Sequence, residues 1–156
     1  VVYMEHKSRW GLEGEVPDGN EVEIGTAAIV REGGDATVVT WSAQRLVVEE
    51  AAETAAGQGI EAEVIDLRSL WPWDKDAVLA SVEKTGRLLV AHEAVQVGGF
   101  GAEIAATVAE ELAGALKAPI RRLGAPRIPI PYAPPLEDTV RIGAGDIVTA
   151  LEEMTR

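Results

Sequence analysis

Residues 86–105, GRLLVAHEAVQVGGFGAEIA, decide the fold of this chain. An apolar run at residues 88–90 ends in His92-Glu93, a loop with three glycines follows, and a helical pattern begins at Ala102. This order of strand, glycine-rich loop and helix is the unit from which parallel α/β sheets are built. Because ligands and partners meet such sheets at the carboxyl ends of the strands, the loop is the first candidate functional segment.

Upstream of this unit the sequence also alternates between strand and helix patterns. Residues 22–31 alternate like a half-buried edge strand, and residues 36–41 and 62–67 are continuous apolar runs typical of buried strands. Ser42 is predicted to cap the first helix and Asp74 the second. Glycines that can end these helices follow at positions 57 or 59 and at position 86.

Downstream, the pattern predicts a helix over residues 102–115 and a last strand over 120–123. Residues 125–138 hold five of the eight prolines, so an extended surface segment is expected there. Asp146 is predicted to cap a closing helix. Three strand–helix–strand crossovers after one alternating strand predict an α/β domain with helices on both faces of a parallel sheet.

Composition and charge limit the possible functions. The 156 residues are 47% hydrophobic and include no cysteine, which predicts a globular domain without disulfides or thiolate metal sites and permits a cytoplasmic location. The net charge of −12 argues against nucleic acid and anionic membranes as partners, because phosphate binding needs clustered Lys and Arg. It favours steering of a basic partner, or simply solubility. No apolar run approaches the ~18 residues of a membrane span.

The domain is predicted to begin near Val22. Residues 1–7 resemble the end of a buried strand, and residues 8–21 carry three glycines, a proline and several charges, as linkers do. The opening residues are therefore expected to end a preceding unit of a longer polypeptide.

The glycine loop only partly matches a dinucleotide-binding fingerprint. With Gly99 and Gly101 as its first two glycines, Ile104 stands where the third should be, and no acid follows at the end of a next strand. The glycines are thus better explained by tight packing of the helix start.

Other candidate side chains also favour structural or interface roles. A His92–Glu93 dyad is disfavoured, since neighbours on a strand point to opposite faces. His6 and His92 lack a second metal ligand at suitable spacing, so no metal site is expected. Asp66 and Arg68 can pair across one strand face. The Trp71-Pro72-Trp73 stretch favours a subunit interface, where tryptophan is enriched.

The chain resembles, from end to end and in order, the C-terminal domain of the transketolase-like family. Its nearest counterpart there is the beta subunit of the thiamine-dependent component of 2-oxo acid dehydrogenase complexes, of branched-chain or acetoin type. The matching pieces are Val2-Tyr3-Met4-Glu5-His6-Lys7, Gly14-Glu15-Val16-Pro17, Ile65-Asp66-Leu67-Arg68, Pro72-Trp73-Asp74, residues 81–87, His92-Glu93-Ala94, residues 98–104 and Pro131-Tyr132-Ala133-Pro134.

The resemblance implies a three-layer α/β/α domain with a five-stranded, mostly parallel sheet whose first strand is antiparallel. Residues 1–21 would then be the end of a pyrimidine-binding domain and its linker, and residues 22–156 the C-terminal domain. The intact enzyme would use thiamine diphosphate and magnesium to decarboxylate a 2-oxo acid oxidatively and transfer the acyl group to lipoyl. These groups would be held elsewhere, so no catalytic, cofactor-binding or metal-binding residue is assigned to this chain, and the chain alone is expected to be inactive.

The resemblance also implies partners: a second copy of the domain, an alpha subunit, and the small basic subunit-binding domain of the acyltransferase core. The residues expected at the dimer contact are His92, Glu93, Gly98, Gly99, Phe100, Gly101, Glu103 and Ile104. The docking surface is expected to include Pro131, Tyr132 and Pro134. Two alternatives stay open: another enzyme of the family, such as a transketolase or deoxyxylulose-phosphate synthase, or a stand-alone module that binds a small ligand at residues 98–101.

Overall fold

In the computed structural model, which describes residues 5–15, 18–19 and 21–156, a five-stranded sheet lies between two layers of helices. The strands are β1 (Ala28–Arg31), β2 (Ala36–Thr40), β3 (Ala62–Asp66), β4 (Leu88–Val95) and β5 (Arg121–Ala125). The helices are α1 (Gln44–Ala56), α2 (Lys75–Thr85), α3 (Gly101–Leu112), α4 (Pro134–Glu137) and α5 (Ala144–Thr155), with one 3₁₀ turn at Lys7–Arg9.

The strand order in the sheet is β1-β3-β2-β4-β5. Strand β1 pairs antiparallel with β3, and all other pairs are parallel. Helices α1, α2 and α3 make the three expected crossovers, so the predicted α/β class, three-layer architecture and antiparallel first strand are confirmed.

The two faces of the sheet support separate hydrophobic layers. Because successive residues of a strand face opposite sides, Ala36 and Val38 of β2 pack with α1 and α5, whereas Val39 packs with α2 and α3. The closing helix α5 buries Ile147, Leu151 and Met154 at the spacing of one helical face, as predicted.

The carboxyl edge of the sheet contains a topological switch point. From β2 the chain crosses to β3 on one side, and the later strands β4 and β5 are added on the other side. The carboxyl ends of β2 and β4 are therefore neighbours whose connections run apart, which is where open α/β sheets form ligand crevices. This edge carries the Trp71-Pro72-Trp73 stretch, the glycine loop and the proline-rich segment, which follow β3, β4 and β5.

Two of the predicted helix caps differ from the structure. As predicted, Asp74 caps α2 by accepting the Ala77 N–H, and Gly86 ends that helix; the glycine does so in the left-handed conformation. Ser42 has φ +58° and does not cap α1, whose N-cap is Ala43 without a side-chain hydrogen bond. Asp146 lies inside α5 at its third position, where its carboxylate accepts the backbone N–H of Gly143. It contributes half of a capping box rather than the N-cap itself.

The boundaries of β1 and β4 differ from the prediction. Strand β1 begins at Ala28, so Ile24 and Thr26 precede it. Strand β4 runs on to Val95, past the predicted end at position 92. The proline-rich segment is not extended throughout, since its Pro134 opens helix α4.

The predicted strand over residues 1–7 is wrong where it can be compared. Glu5 and His6 are outside any regular element, and Lys7 starts the 3₁₀ turn. Residues 1–4, together with the matching positions 16–17, lie outside the described residues. In the described ranges, no helix combines the length and hydrophobicity that crossing a bilayer demands.

Candidate functional site

The candidate site is the carboxyl edge around His92, at the switch point between β2 and β4. The His92 side chain is fully buried and stacks on Trp41, with ring centroids 5.0 Å apart. Its Nδ1 lies 3.0 Å from the Ala94 carbonyl oxygen, so Nδ1 donates and Nε2 has no proton. Desolvation by burial lowers the pKa of His92 despite this hydrogen bond, so the ring is neutral near pH 7.

Three glycines enclose the imidazole. A Cβ on Gly99 would lie 2.8 Å from His92 Cε1, one on Gly101 2.7 Å from Nε2, and one on Gly124 2.9 Å from Cε1. The ring is the nearest obstacle only for Gly101; a Cβ on Gly99 or Gly124 would lie even closer to the Val95 or Ala94 carbonyl oxygen. The glycines are therefore required by close approach to both the ring and the backbone around it. The loop encloses the protein's own histidine, which argues against a phosphate-binding role.

An aromatic cluster fills the rest of the crevice. Phe100 meets Trp41 edge-on at 6.2 Å and Trp73 edge-on at 6.3 Å. Edge-to-face pairs of this kind add stability beyond the area they bury. The place where related sheets bind ligands is thus occupied by Trp41, His92, Phe100 and Trp73.

His92 and Glu93 diverge, as expected for neighbours on a strand. Glu93 points to the surface, where its Oε1 lies 3.2 Å from His6 Nε2. His6 Nδ1 accepts hydrogen bonds from the Ser8 N–H and hydroxyl, at 3.3 and 2.7 Å, so Nε2 carries the proton that faces Glu93. The order Ser8–His6–Glu93 matches a hydrolase triad, but His6 is the N-cap of the 3₁₀ turn. The contact therefore fastens residues 5–9 to the end of β4.

The predicted interface residues divide into two groups. Glu93, Gly98 and Glu103 are exposed and Gly99 and Phe100 are half-buried, so these five can reach a partner. His92, Gly101 and Ile104 are buried within the chain and cannot touch a partner directly. Their inclusion as contact residues is corrected: they support the loop from below.

The predicted docking residues lie on the surface beyond β5. Tyr132 is 99% exposed, Pro134 opens α4 at the surface, and Pro131 is half-buried. Their docking role stays a prediction.

Asp66 and Arg68 do not form the predicted side-chain pair. Arg68 has φ +56°, and this turn sends its guanidinium to the carbonyl oxygens of Thr26 and Ala27, at 3.1 and 2.9 Å. Only its backbone N–H reaches Asp66 Oδ1, at 3.2 Å. Desolvation by burial raises the pKa of Asp66, although this N–H and the nearby arginines act in the opposite direction.

Residues 69–72 form a rigid, apolar ledge beyond β3. Trp71 at its tip is 80% exposed. The Ser69 hydroxyl donates to the Pro72 carbonyl oxygen at 2.8 Å and accepts the Gly25 N–H at 2.9 Å. These bonds order the loop without burying the indole, so the Trp71 side chain is held on the surface, where a partner can contact it.

A groove of about 380 Å³ opens at the same edge, on the side of α1 and α5. It is not evident from the sequence, because its walls come from the 3₁₀ turn, α1, the ends of β4 and β5, and the segment before α5. Its lining residues are His6, Ser8, Ala43, Gln44, Leu46, Val47, Glu93, Ala125, Ile130, Glu137, Val140, Arg141 and Ile142.

The described residues do not fit a thiamine diphosphate–magnesium site. No cluster of three His, Cys, Asp or Glu side chains that could hold a metal ion occurs among them. Gly99 and Gly101 of the glycine loop lie against His92, so the close approach at these glycines is to the chain's own side chain. No chemical step is therefore assigned to this chain.

Comparison with known proteins gives consistent matches along the chain. The sequence pattern of the family described as transketolase, C-terminal domain, matches residues 25–147. The beta subunit of acetoin:2,6-dichlorophenolindophenol oxidoreductase from Cupriavidus necator is 46% identical, over 96% of this chain and 45% of that protein. The 2-oxoisovalerate dehydrogenase subunit beta from Bacillus subtilis is 38% identical, over 99% of this chain and 48% of that protein.

A solved structure is similar over nearly the whole chain. A split gene transketolase, solved as an inactive beta4 tetramer, superposes with a TM-score of 0.78 at 26% identity. The match covers 94% of this chain and 47% of that one. The chain thus spans about half the length of the relatives that it matches.

Proposed function

The chain belongs to the family of transketolase C-terminal domains, and we propose that it is the self-association and docking domain of a 2-oxo acid dehydrogenase beta subunit. The whole enzyme would decarboxylate a 2-oxo acid on thiamine diphosphate and pass the acyl group to lipoyl. One observation carries the proposal: beta subunits of acetoin and 2-oxoisovalerate enzymes match 96% and 99% of this chain, in each case with under half of their own length.

Within that enzyme this domain would bind and position partner proteins and would take no part in the chemical steps. The cofactor, when bound, supplies the electron sink for decarboxylation, and it would be held by residues outside the described part of this chain. The aromatic cluster of buried His92 with half-buried Trp41 and Phe100 would hold residues 96–101 in one shape, so that Glu93, Gly98 and Glu103 meet a second copy.

Charge supports a basic docking partner. The chain carries 26 acidic and 14 Lys or Arg residues, so its field attracts a basic domain and raises the association rate. We assign that role to the small basic subunit-binding domain of the acyltransferase core, with Tyr132 at the contact. The alpha subunit would bind the same beta subunit elsewhere.

One observation favours a second candidate, a transketolase. The similar solved structure is a split gene transketolase, although its 26% identity is well below the 46% of the acetoin-type relative. A ketol-transfer assay on the enzyme that contains this domain separates the two: transfer between sugar phosphates supports the transketolase, and oxo-acid decarboxylation supports the dehydrogenase.

The purified chain is expected to be an inactive dimer. Sedimentation equilibrium should give twice its mass of 16.5 kDa, and added thiamine diphosphate, magnesium and branched-chain 2-oxo acids should release no carbon dioxide. A monomer at micromolar concentration contradicts self-association through this domain. Turnover by the chain alone contradicts the assignment of catalysis to other parts of the enzyme.

Tyr132→Ala is expected to weaken docking of an acyltransferase subunit-binding domain by about tenfold, because exposed tyrosines are frequent interface hot spots. Isothermal titration calorimetry measures the dissociation constant. Higher salt should weaken binding of the subunit-binding domain to the wild-type chain and to the variant alike. The matched control is Trp10→Ala, another exposed aromatic residue but outside the proline segment. Equal effects of the two substitutions on the dissociation constant would show that the proline segment is not part of the docking surface.

A further inference from the structure

The large exposed hydrophobic side chains are distributed unevenly over this molecule. Leu70, Trp71, Val97, Ile128, Ile130 and Tyr132 all lie in segments that leave the carboxyl ends of β3, β4 and β5. The described loops at the opposite edge, residues 32–35, 57–61, 86–87 and 113–120, contain no exposed large hydrophobic residue. Other exposed large hydrophobic residues lie elsewhere, such as Ile29 on β1 and Leu136 on α4, but among the described loops between strands and helices the carboxyl edge is the apolar one. Such a surface marks a contact site.

The ledge that carries Trp71 has the properties of an interface anchor. The indole is 80% exposed, and Ile24 and Leu70 next to it are also exposed. Because Ser69 fixes the loop through hydrogen bonds to Gly25 and Pro72, little conformational entropy remains to be lost on binding. Tryptophan is among the residues most enriched at interface hot spots.

The groove beside α1 has a complementary character. Polar groups at its rim are bonded within the chain: Glu93 to His6, Glu137 to Arg141, and Gln44 Nε2 to the Ile142 carbonyl oxygen. The remaining walls are largely aliphatic and include Leu46, Val47, Ile130 and Val140. With about 380 Å³, the groove is near the lower end of ligand-site volumes, so it suits one large apolar side chain better than a polar ligand.

The ledge and the groove lie at different strands of the carboxyl edge and on opposite faces of the sheet. The ledge follows β3, on the β1 side of the sheet, and leads into α2 on the face that α2 shares with α3. The groove lies at the ends of β4 and β5, on the face covered by α1 and α5. The ledge and the groove are therefore two separate surfaces of the same edge, so each is free to meet its counterpart on a second copy.

We propose that Trp71 of one chain fills the groove beside α1 of a second copy, and that the same contact forms in reverse across a two-fold axis. Such an isologous arrangement closes into a dimer without leaving an open end. The proposal rests on the self-association proposed above and names its anchor. It is continuous with the loop at residues 96–101, because Trp73 beside the ledge contacts Phe100. A related chain that assembles as a beta4 tetramer supports a second copy as the occupant.

Sedimentation of variants tests the anchor. Trp71→Ala should raise the dimer dissociation constant about 30-fold for each indole removed from its groove, hence on the order of 10³-fold for the two indoles of an isologous dimer. Leu46→Glu, which places a carboxylate in the groove, should have a similar effect. The control is Ile29→Ala, an exposed apolar residue on β1 and away from the carboxyl-edge loops, which should leave dimerisation unchanged. Circular dichroism confirms that all three variants fold.

Cross-linking tests the pairing itself, since the chain has no cysteine. Leu70→Cys protein mixed with Leu46→Cys protein should give a covalent dimer with a short bismaleimide. Replacing either variant by Gln58→Cys, exposed at the opposite edge, should abolish that product. A monomeric wild-type chain overturns self-association and this proposal together. If the wild-type chain is a dimer, Trp71→Ala dimerises equally well and no Leu70–Leu46 product forms, only the Trp71 contact is overturned. Another domain or partner then covers the ledge.

Discussion

Gly101→Ala is expected to destabilise the domain by about 2 kcal/mol, within the range for overpacked cores. The new Cβ would lie 2.7 Å from His92 Nε2, 2.8 Å from Cδ2 and 3.1 Å from Val90 Cγ1. The ring cannot retreat, because Trp41 stacks on one side and Gly99 and Gly124 approach it closely. The better helix propensity of alanine offsets part of this loss, by at most ~1 kcal/mol. Urea denaturation measures the change through the midpoint at constant slope.

A double-mutant cycle identifies His92 as the cause. His92→Ala opens a cavity and is itself destabilising, but it removes the group with which the alanine at 101 collides. Gly101→Ala should therefore cost much less free energy in that background, with a favourable coupling of ~1–2 kcal/mol. Gly114→Ala is the matched control, because a Cβ there meets nothing within 4 Å. Additive effects would show that the glycine serves the helix start and not the imidazole.

The three glycines around His92 show which features of the site can be predicted from the sequence. The order of strand, glycine loop and helix is evident from local pattern, and so are the cap at Asp74 and the left-handed Gly86. Each of these depends on residues a few positions apart. The need for Gly124 depends on the Ala94 carbonyl oxygen and the His92 ring, 30 and 32 positions earlier in the chain, and no local pattern contains that information.

The predictions from sequence that were wrong failed because tertiary contacts overrode the local pattern. Ser42 has the side chain of a helix cap, yet its φ of +58° takes it out of the capping position, and its carbonyl oxygen accepts from Arg9. Strand periodicity pairs Arg68 with Asp66, but the strand ends before Arg68 and the turn redirects its guanidinium. The groove is formed by segments far apart in sequence, so only the folded chain reveals it. The apolar character of the Trp71 ledge, in contrast, is evident from its composition.

Lys84→Met is expected to destabilise the domain by about 3 kcal/mol, the lower end for breaking a buried ion pair, because the lysine itself is half exposed. Its partner Glu63 lies in the interior strand β3 with 1% of its side chain exposed, and the two groups are in direct contact. A second carboxylate, that of Glu32, lies 3.7 Å from the lysine. Without the ammonium, Glu63 would stay buried with too few donors for its charge.

The matched control for this substitution lies in the same helix. Lys75→Met removes an ion pair with Glu111 in which both side chains are about half exposed. Exposed pairs contribute little because water and salt screen them, so this variant should keep close to wild-type stability. Equal losses for Lys75→Met and Lys84→Met would indicate a general effect of charge removal on α2.

The pH dependence of unfolding provides an independent check on the Glu63–Lys84 pair. Desolvation alone would raise the pKa of Glu63, but the hydrogen bonds from Lys84 and Ser81 outweigh it and lower that pKa below 4.5. The hydrogen bond to Glu63 raises the pKa of Lys84 above 10.5. The stability from Glu63 is therefore present above its unfolded pKa and is lost as pH falls through the lower folded value. The stability from Lys84 is present below its unfolded pKa and is lost as pH rises through the higher folded value. In Lys84→Met, the loss of protein stability at alkaline pH should disappear. At acid pH the variant should become more stable rather than less, because protonation removes the charge of a buried Glu63 that has lost its partner.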